Sequence, residues 1–135
     1  MRIMGLDIGD KRIGVALSDP GGIMASPFTI IERTGEERDI GTIFDIIEQR
    51  EVGKIVVGLP RSMDGTVGQQ ASKVEEFVEQ LRHHTQIPIE FRDERLSTVS
   101  ARRLMQRTGR KAKKKPRYDA AAAAVILQAY LEEGR

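Results

Sequence analysis

Acidic residues at three separated points of the sequence have the types and surroundings that metal-dependent chemistry needs. Asp7 lies inside the apolar run Arg2–Ile8, Asp93 and Glu94 directly follow another apolar run, and Asp119 begins an otherwise apolar segment. An ionised carboxylate within an apolar strand is costly unless a cation or strong hydrogen-bond donors compensate it. Carboxylate oxygens suit Mg²⁺ or Mn²⁺, and two such ions about 4 Å apart can stabilise the attacking and leaving oxygens at a phosphodiester. The pattern therefore favours metal-dependent phosphoryl chemistry.

Two of these carboxylates also have structural explanations. Asp7 taken alone is typical of a structural aspartate that caps the turn from Gly9 to Arg12. Asp119 stands where the dipole of a helix favours an acidic residue. The chemical interpretation requires the acidic sites to converge, and spacing along the chain does not by itself bring them together.

Positive charge is concentrated in one segment of the chain. The net charge of the 135 residues is +2, but residues 95–117 contain ten of the 22 basic residues and none of the 20 acidic ones, so this segment carries +10 and the remainder −8. A polyanionic partner, nucleic acid first, explains this asymmetry, although a solvated loop can also be basic. The predicted nucleic-acid contacts are two residues that follow the first strand, Lys11 and Arg12, and ten in the basic segment, Arg95, Arg102, Arg103, Arg107, Arg110, Lys111, Lys113, Lys114, Lys115 and Arg117.

Length and composition indicate one globular domain over residues 1–135. A chain of this size, with 39% hydrophobic and 31% charged residues, has enough apolar material for a core. The sequence has no cysteine, which excludes disulfides, zinc–thiolate sites and thiol catalysis. No apolar run reaches about 18 residues, and acidic residues interrupt the start before a signal-peptide core could form. We expect a cytoplasmic protein without a membrane partner.

The first third of the sequence predicts three consecutive antiparallel strands. The apolar runs Arg2–Ile8 and Arg12–Ser18 are joined by the turn residues Gly9-Asp10-Lys11, which is typical of a β-hairpin. A second turn, Asp19-Pro20-Gly21-Gly22, leads to a third strand at Pro27–Glu32.

Strands and helices alternate over the rest of the chain. Hydrophobic periodicity and breaker residues define each element. They predict helices over Arg38–Glu51, Ala71–Leu81, Leu96 to about Arg107 and about Arg117 to Glu132, strands at Lys54–Leu59 and Ile87–Arg92, a loop at Pro60–Gly68 and a connection at Arg110–Pro116.

The predicted order βββαβαβαα indicates an α/β fold. Its five-stranded mixed sheet has three antiparallel strands followed by two parallel strands, and helices flank it. In sheets built mostly of parallel strands, ligands collect beyond the carboxyl ends of the strands. The three acidic sites could converge there.

Four stretches of the sequence carry a family resemblance. They are GLDIGDKRIGVALSD at Gly5–Asp19, GLPRSMDGTVGQQA at Gly58–Ala71, DERLST at Asp93–Thr98 and YDAAAAAVIL at Tyr118–Leu127. In this order they resemble the YqgF family, also called RuvX, over nearly the whole chain. The resemblance implies a ribonuclease H-like fold and a metal-dependent nuclease, associated in bacteria with trimming the 5′ end of precursor 16S ribosomal RNA.

The resemblance also implies roles for individual residues. It puts Asp7, Glu94 and Asp119 at the family's acidic positions, as catalytic residues and as ligands of Mg²⁺ or Mn²⁺. Asp93 is set apart, because adjacent residues on a strand point to opposite faces.

The family is similar to Holliday junction resolvases as well, and this chain departs from them. Pro60 stands after Lys54–Leu59 where those resolvases are expected to have a glutamate, and Ala122 replaces a second acid one turn beyond Asp119. Asp64 in the predicted loop could supply a further carboxylate. The departures weaken the junction-resolving hypothesis.

The leading hypothesis is a nuclease that hydrolyses RNA phosphodiester bonds and processes precursor 16S ribosomal RNA in the pre-ribosome. One alternative is a resolvase of four-way DNA, which normally needs a symmetric dimer to cut two strands. A second alternative is a nucleic-acid-binding module whose carboxylates are structural. Monomer and homodimer both stay open, as does the number of metal ions.

Overall fold

A mixed sheet and three helices make up the described part of the chain. The structure, a computed structural model, describes the backbone of residues 1–59, 69–93 and 115–133 and the side chains of residues 1–59, 70–92 and 120–133. In chain order the elements are β1 (Arg2–Ile8), β2 (Arg12–Ser18), β3 (Ala25–Glu32), α1 (Glu36–Arg50), β4 (Val52–Leu59), α2 (Gln69–Arg82), β5 (Ile89–Asp93) and α3 (Lys115–Glu133).

The strand order in the sheet is β3-β2-β1-β4-β5. The hairpin pairs β1–β2 and β2–β3 are antiparallel, whereas β1–β4 and β4–β5 are parallel. The predicted mixed sheet of three antiparallel strands followed by two parallel strands is confirmed. Because β1, β4 and β5 are parallel, their last residues, Ile8, Leu59 and Asp93, lie at one end of the sheet, which we call the carboxyl edge.

The two faces of the sheet pack against different helices. Helices α1 and α2 cover the face we call the α1–α2 face, where large residues such as Leu6, Ile43 and Phe77 form the main core. Helix α3 covers the opposite face, the α3 face, through a smaller cluster that contains Ala123 and Leu127. The sheet is therefore buried between two helical layers of different side-chain size.

Two strands begin at different residues from those that the sequence predicts. Strand β3 begins at Ala25 and not at Pro27, because Ala25 pairs with Ser18 and extends the antiparallel ladder. Strand β5 begins at Ile89, directly after Pro88, since proline has no N–H to donate to a ladder.

Two helices also differ at their ends. Helix α1 stops at Arg50, because Glu51 takes the left-handed conformation with φ 54° and its N–H bonds back to the carbonyl of Ile47. Helix α3 begins at Lys115, so the predicted connection is wrong at its last two residues. Pro116 fits there because the first turn of a helix has no intrahelical partner for that N–H.

The remaining sequence predictions fall on other parts of the chain. The loop at Pro60–Gly68, the helix from Leu96 to Arg107 and the first residues of the connection lie outside the described residues. Among the helices that the structure describes, none is long and apolar enough to cross a membrane.

Candidate active site

Asp7 stands on β1 one residue before the carboxyl edge. Because side chains alternate along a strand, Asp7 belongs to the α3 face with Gly5, whereas Leu6 and Ile8 are buried on the α1–α2 face. Its partner on β2 is Gly14, which has no side chain. Asp7 is partly exposed. The fold thus puts a carboxylate at the open end of a buried strand.

The ends of β4 and β5 bring position 93 to the same edge. The two strands pair in parallel up to Leu59 and Asp93. Phe91 packs against the α1–α2 core, and the strand period of two puts position 93 on that face, opposite to the face of Asp7. Glu94 lies outside the described residues, so its role stays a prediction.

Helix α3 crosses β1 at close range. A Cβ atom on Gly5 would lie 2.8 Å from Cβ of Leu127 and 2.9 Å from the carbonyl oxygen of Ala123. No larger residue fits between the strand and the helix without displacing one of them. The backbone position of Asp119 is one helical turn before Ala123.

Contacts in the second half of α3 show its direction. Oε1 of Gln128 accepts a hydrogen bond from the N–H of Ala25 at 2.8 Å, and the hydroxyl of Tyr130 contacts Nζ of Lys54. Both partners lie at the end of the sheet opposite to the carboxyl edge, because they are level with Ile3 near the start of β1. Helix α3 therefore runs away from the carboxyl edge, and position 119 of its backbone lies toward that edge.

The turn between β1 and β2 forms an open depression beside Asp7. Its volume is about 330 Å³, and it is lined by Asp7, Gly9, Asp10, Lys11 and Arg12. Lys11 is exposed, and Nε of Arg12 lies 3.1 Å from Oε1 of Glu32 in an exposed ion pair. Such a pair contributes at most about 1 kcal/mol, so a phosphate group can compete for Arg12. The depression combines a carboxylate with two cationic side chains.

Arg33 and Asp39 support this turn, and the sequence analysis did not single them out. Nη1 of Arg33 donates a hydrogen bond to the carbonyl oxygen of Gly9 at 2.9 Å, and Nε donates to Oδ2 of Asp39 at 3.2 Å. The available signal was the spacing of Asp39, which lies four residues before the buried Ile43. A carboxylate therefore stands on the apolar stripe of α1, where an ionised group needs a partner.

The turn between β2 and β3 contains a carboxylate with a structural role. Oδ1 of Asp19 accepts hydrogen bonds from the backbone N–H groups of Ile23 and Met24, both at 2.7 Å, and Oδ2 accepts one from Gly21 at 3.2 Å. These donors, with Met24 the strongest, hold the pKa of Asp19 below its ordinary value. Asp19 stabilises its own loop.

Carboxylates are the ligands that the carboxyl edge offers to a metal ion. Asp7 fits Mg²⁺ or Mn²⁺, which prefer oxygen ligands, and its partial exposure leaves a path for the ion. Within the side chains that the structure describes, no group of three acidic or histidine residues could hold a metal. The side chains of Glu94 and Asp119 are not among those described.

Most of the predicted phosphate contacts also fall outside the described side chains. Lys115 and Arg117 lie in the first turn of α3, where the structure gives the backbone. Because this end of α3 lies toward the carboxyl edge, the last part of the basic segment approaches Asp7. The other predicted contacts in that segment lie outside the described residues; they are Arg95, Arg102, Arg103, Arg107, Arg110, Lys111, Lys113 and Lys114.

Comparison with known proteins relates the whole chain to one family. Residues 1–133 match RuvX, which is described as Holliday junction resolvase. A protein of Desulforamulus reducens, named "Putative pre-16S rRNA nuclease", is 49% identical over 135 residues, which cover 99% of this chain and 98% of the relative. A protein of the same name from Clostridioides difficile is 48% identical over 132 residues, with 97% and 94% covered.

Solved structures of two resolvases are similar to this fold. RuvC of T. thermophilus in complex with a Holliday junction substrate has a TM-score of 0.63 at 13% identity, covering 99% of this chain and 96% of that one. The fowlpox virus resolvase, solved with Holliday junction DNA, has a TM-score of 0.58 at 14% identity, covering 98% of both chains. At this identity the likeness concerns the fold, and it confirms the expected ribonuclease H-like α/β architecture.

Proposed function

Because this chain belongs to the RuvX family, we propose that it is a nuclease that hydrolyses RNA phosphodiester bonds, with the 5′ end of precursor 16S ribosomal RNA as its substrate. The observation that carries this proposal is the placement of Asp7, a partly exposed carboxylate at the carboxyl edge, beside Lys11 and Arg12. Cleavage of a phosphodiester needs a metal ligand and cationic groups at one place. The names of the curated relatives support RNA as the substrate class.

We assign Asp7, Glu94 and Asp119 as the catalytic carboxylates that would hold Mg²⁺ or Mn²⁺. A divalent cation supplies stabilisation of the attacking and leaving oxygens in this chemistry. Three backbone positions support the assignment: Asp7 near the end of β1, the end of β5 directly before residue 94, and position 119 on the half of α3 nearest the carboxyl edge. Oxygen ligands alone suit these two metals.

The cationic residues bind the RNA backbone in this proposal. Lys11 and Arg12 hold a phosphate next to the scissile bond, and Arg12 exchanges its exposed partner Glu32 for that phosphate. Residues 95–117 bind neighbouring phosphates without reading the base sequence, so binding weakens steeply as salt rises. Aromatic residues are 4% of the chain, which gives little surface for base stacking. Contacts with phosphate, not with bases, therefore position the RNA.

Resolution of four-way DNA junctions is the second candidate function. The family description and both similar solved structures carry that activity in their names. Pro60 and Ala122 stand where the resemblance to resolvases calls for acidic residues. Cutting two strands of a junction also calls for a symmetric dimer. The RNA nuclease is the preferred proposal for these reasons.

Cleavage of two substrates tests the proposal. The parent protein and Asp7→Asn are each given a precursor 16S rRNA fragment and a synthetic four-way junction, with Mg²⁺, Mn²⁺ or a chelator. We expect metal-dependent cleavage of the RNA by the parent and a loss of more than about a hundredfold in Asp7→Asn, since changes outside the ligand shell of a metal already cost about 10–100-fold. Asp45→Asn is the matched control, because Asp45 is exposed on α1; it should cleave like the parent.

Each outcome of this experiment separates the hypotheses. Thermal unfolding followed by circular dichroism shows that Asp7→Asn is folded. Equal RNA cleavage by the parent and Asp7→Asn would refute the proposal. Preferential, metal-dependent cutting of the junction by a dimer would favour the resolvase. Binding that survives both chelation and Asp7→Asn, without cleavage under either metal, would favour a binding module.

A further inference from the structure

A buried carboxylate lies at the start of α1, close to the candidate active site. Asp39 is 1% exposed. Its Oδ2 accepts a hydrogen bond from Nε of Arg33, and its Oδ1 accepts one from the backbone N–H of Thr34, both at 3.2 Å. A buried ionised group is tolerated when it is paired and hydrogen-bonded in this way. Asp39 therefore holds the Arg33 guanidinium in one orientation.

Arg33 contacts the β1–β2 turn through both its side chain and its backbone. Nη1 donates a hydrogen bond to the carbonyl oxygen of Gly9 at 2.9 Å, and the N–H of Arg33 donates to the carbonyl oxygen of Lys11 at 3.0 Å. The guanidinium carbon lies 5.1 Å from the centre of the Phe77 ring, which covers it from the α2 side. One residue thus fixes two carbonyl groups of a three-residue turn.

The same turn has its side chains on the depression beside Asp7. Asp10 and Lys11 are exposed, and the N–H of Gly9 donates to the carbonyl oxygen of Arg12 at 2.8 Å, which closes the turn. The carbonyl groups of the turn are held by Arg33, while its side chains are left for a ligand. The location of the turn relative to β1 depends on a contact that lies outside the hairpin.

From these contacts we infer that Arg33, oriented by Asp39, is a positioning residue that keeps Lys11 and Arg12 beside Asp7. The arginine side chain suits this task, because its planar fork donates to a carboxylate and to a carbonyl at once, which a lysine ammonium on a flexible stem does so less rigidly. The inference rests on the proposed function only for its consequence in catalysis. The restraint on the turn is measurable without any substrate.

An ion pair that only stabilises the fold makes a different prediction. Breaking such a pair would lower the free energy of unfolding without a local change in the turn of the folded protein. Loss of a positioning contact instead loosens the turn at temperatures where the protein is fully folded. Local opening of this kind is what amide hydrogen exchange measures.

Arg33→Lys and Asp39→Asn are the test variants, and Arg82→Lys is the matched control. Like Arg33, Arg82 lies near a carboxylate (Glu79, 3.4 Å), donates to a backbone carbonyl (Ile89, 3.2 Å) and faces an aromatic ring (Phe91, 5.8 Å). It supports β5 near its start and does not touch the β1–β2 turn. The control therefore removes the same kinds of contact at another place.

Hydrogen exchange by NMR, well below the melting temperature, is the first measurement. In both test variants we expect the amides of residues 9 and 33 to exchange about tenfold faster, the factor that corresponds to one lost hydrogen bond. The amides of Val15 and Val57, in the central strands, should change by less than about twofold if only the turn opens. Arg82→Lys should leave the turn amides unchanged. Unchanged exchange at residues 9 and 33, or a uniform rise over the whole sheet, would overturn the inference.

Kinetics with the RNA substrate is the second measurement. In Arg33→Lys we expect KM to rise about tenfold with little change in kcat, because the phosphate-binding side chains lose their place while Asp7 stays on β1. A KM equal to that of Arg82→Lys would count against positioning. The two proposals fail separately: active Asp7→Asn refutes the nuclease assignment whatever the exchange rates, and unchanged turn exchange refutes this inference even when Asp7→Asn is inactive.

Discussion

The two faces of the sheet differ in the size of the residues that bury them. On the α1–α2 face, large side chains such as Leu81, Ile55 and Phe77 fill the space between the sheet and two helices. On the α3 face, alanines such as Ala123 and Ala124 form much of the contact, and Gly5 leaves no space between strand and helix. Large residues bury more apolar area, so the α1–α2 face contributes more of the hydrophobic stabilisation.

The faces differ in polarity as well. Asp7 belongs to the α3 face, and so do Lys54, Glu90 and Arg92, which pair with one another or with α3. Small residues let α3 approach the sheet closely and still leave charged groups partly exposed around it. The comparison suggests a division of tasks, in which one face stabilises the fold and the other positions the chemistry.

The largest effect on stability is expected from Leu81→Ala. Leu81 is fully buried on the α1–α2 face, so removing its side chain costs lost burial and leaves a cavity. We expect the free energy of unfolding to fall by about 2–5 kcal/mol, measured by urea denaturation. If the faces divide their tasks, RNA cleavage per folded molecule should not change.

The exposed Glu76 on the same helix supplies the control. Glu76→Ala should change the free energy of unfolding by less than about 0.5 kcal/mol. A loss of cleavage in folded Leu81→Ala protein would break the proposed division between the faces.

Gly5→Ala should have a smaller effect on stability and a larger one on activity. The new Cβ would lie within 2.9 Å of the backbone of Ala123, so α3 must move away from β1. Overpacking of this kind costs about 1–3 kcal/mol in unfolding free energy. Because position 119 moves with α3, we expect RNA cleavage to fall by up to about a hundredfold.

Gly41→Ala is the matched control, since nothing lies within 4 Å of a Cβ at that exposed position of α1. Alanine is a better helix former there, and we expect a gain of about 0.5–1 kcal/mol. Cleavage at the parent rate by Gly5→Ala would show that the close crossing of α3 is not needed for the site.

The smallest effect is expected from Lys54→Met, which tests whether the charges of the α3 face matter for stability. The hydroxyl of Tyr130 and the carboxylate of Glu90, the latter 3.0 Å from Nζ, raise the pKa of Lys54 above its ordinary value of 10.5. Lys54 in turn lowers the pKa of Glu90 below 4.5. Because the pair is partly exposed, we expect Lys54→Met to cost less than about 1 kcal/mol near neutral pH.

The dependence of this cost on pH has a definite sign. The lowered pKa of Glu90 adds stability above about pH 4.5 that is lost as the pH falls, and the raised pKa of Lys54 adds stability below about pH 10.5 that is lost as the pH rises. The difference between the parent and Lys54→Met should therefore be largest between these values. Lys73→Met, at a 3.5 Å pair that is more exposed on both sides, should show a smaller difference. A cost that does not vary with pH would mean that the pair contributes through packing alone.

Local patterns in the sequence predicted much of the fold. The run Arg2–Ile8 and the turn after it predict β1 and its hairpin without reference to the rest of the chain, and the structure has the same bounds for that strand. Asp7 was found because an acid within an apolar run is conspicuous. Asp39 was missed because it stands among other acidic residues at the start of α1, where a carboxylate is ordinary, and its burial depends on packing with Arg33 and Phe77.

By itself the sequence determined the order of the strands and helices, the apolar faces that form the core and the concentration of positive charge, because these depend on neighbouring residues and simple periodicity. Only the tertiary structure decided that α3 crosses β1 at Gly5, that position 93 lies on the face opposite to Asp7, and that Arg33 holds the β1–β2 turn. These facts join segments far apart in the chain. Their distances are decided by how side chains pack between strands and helices, which no local pattern contains.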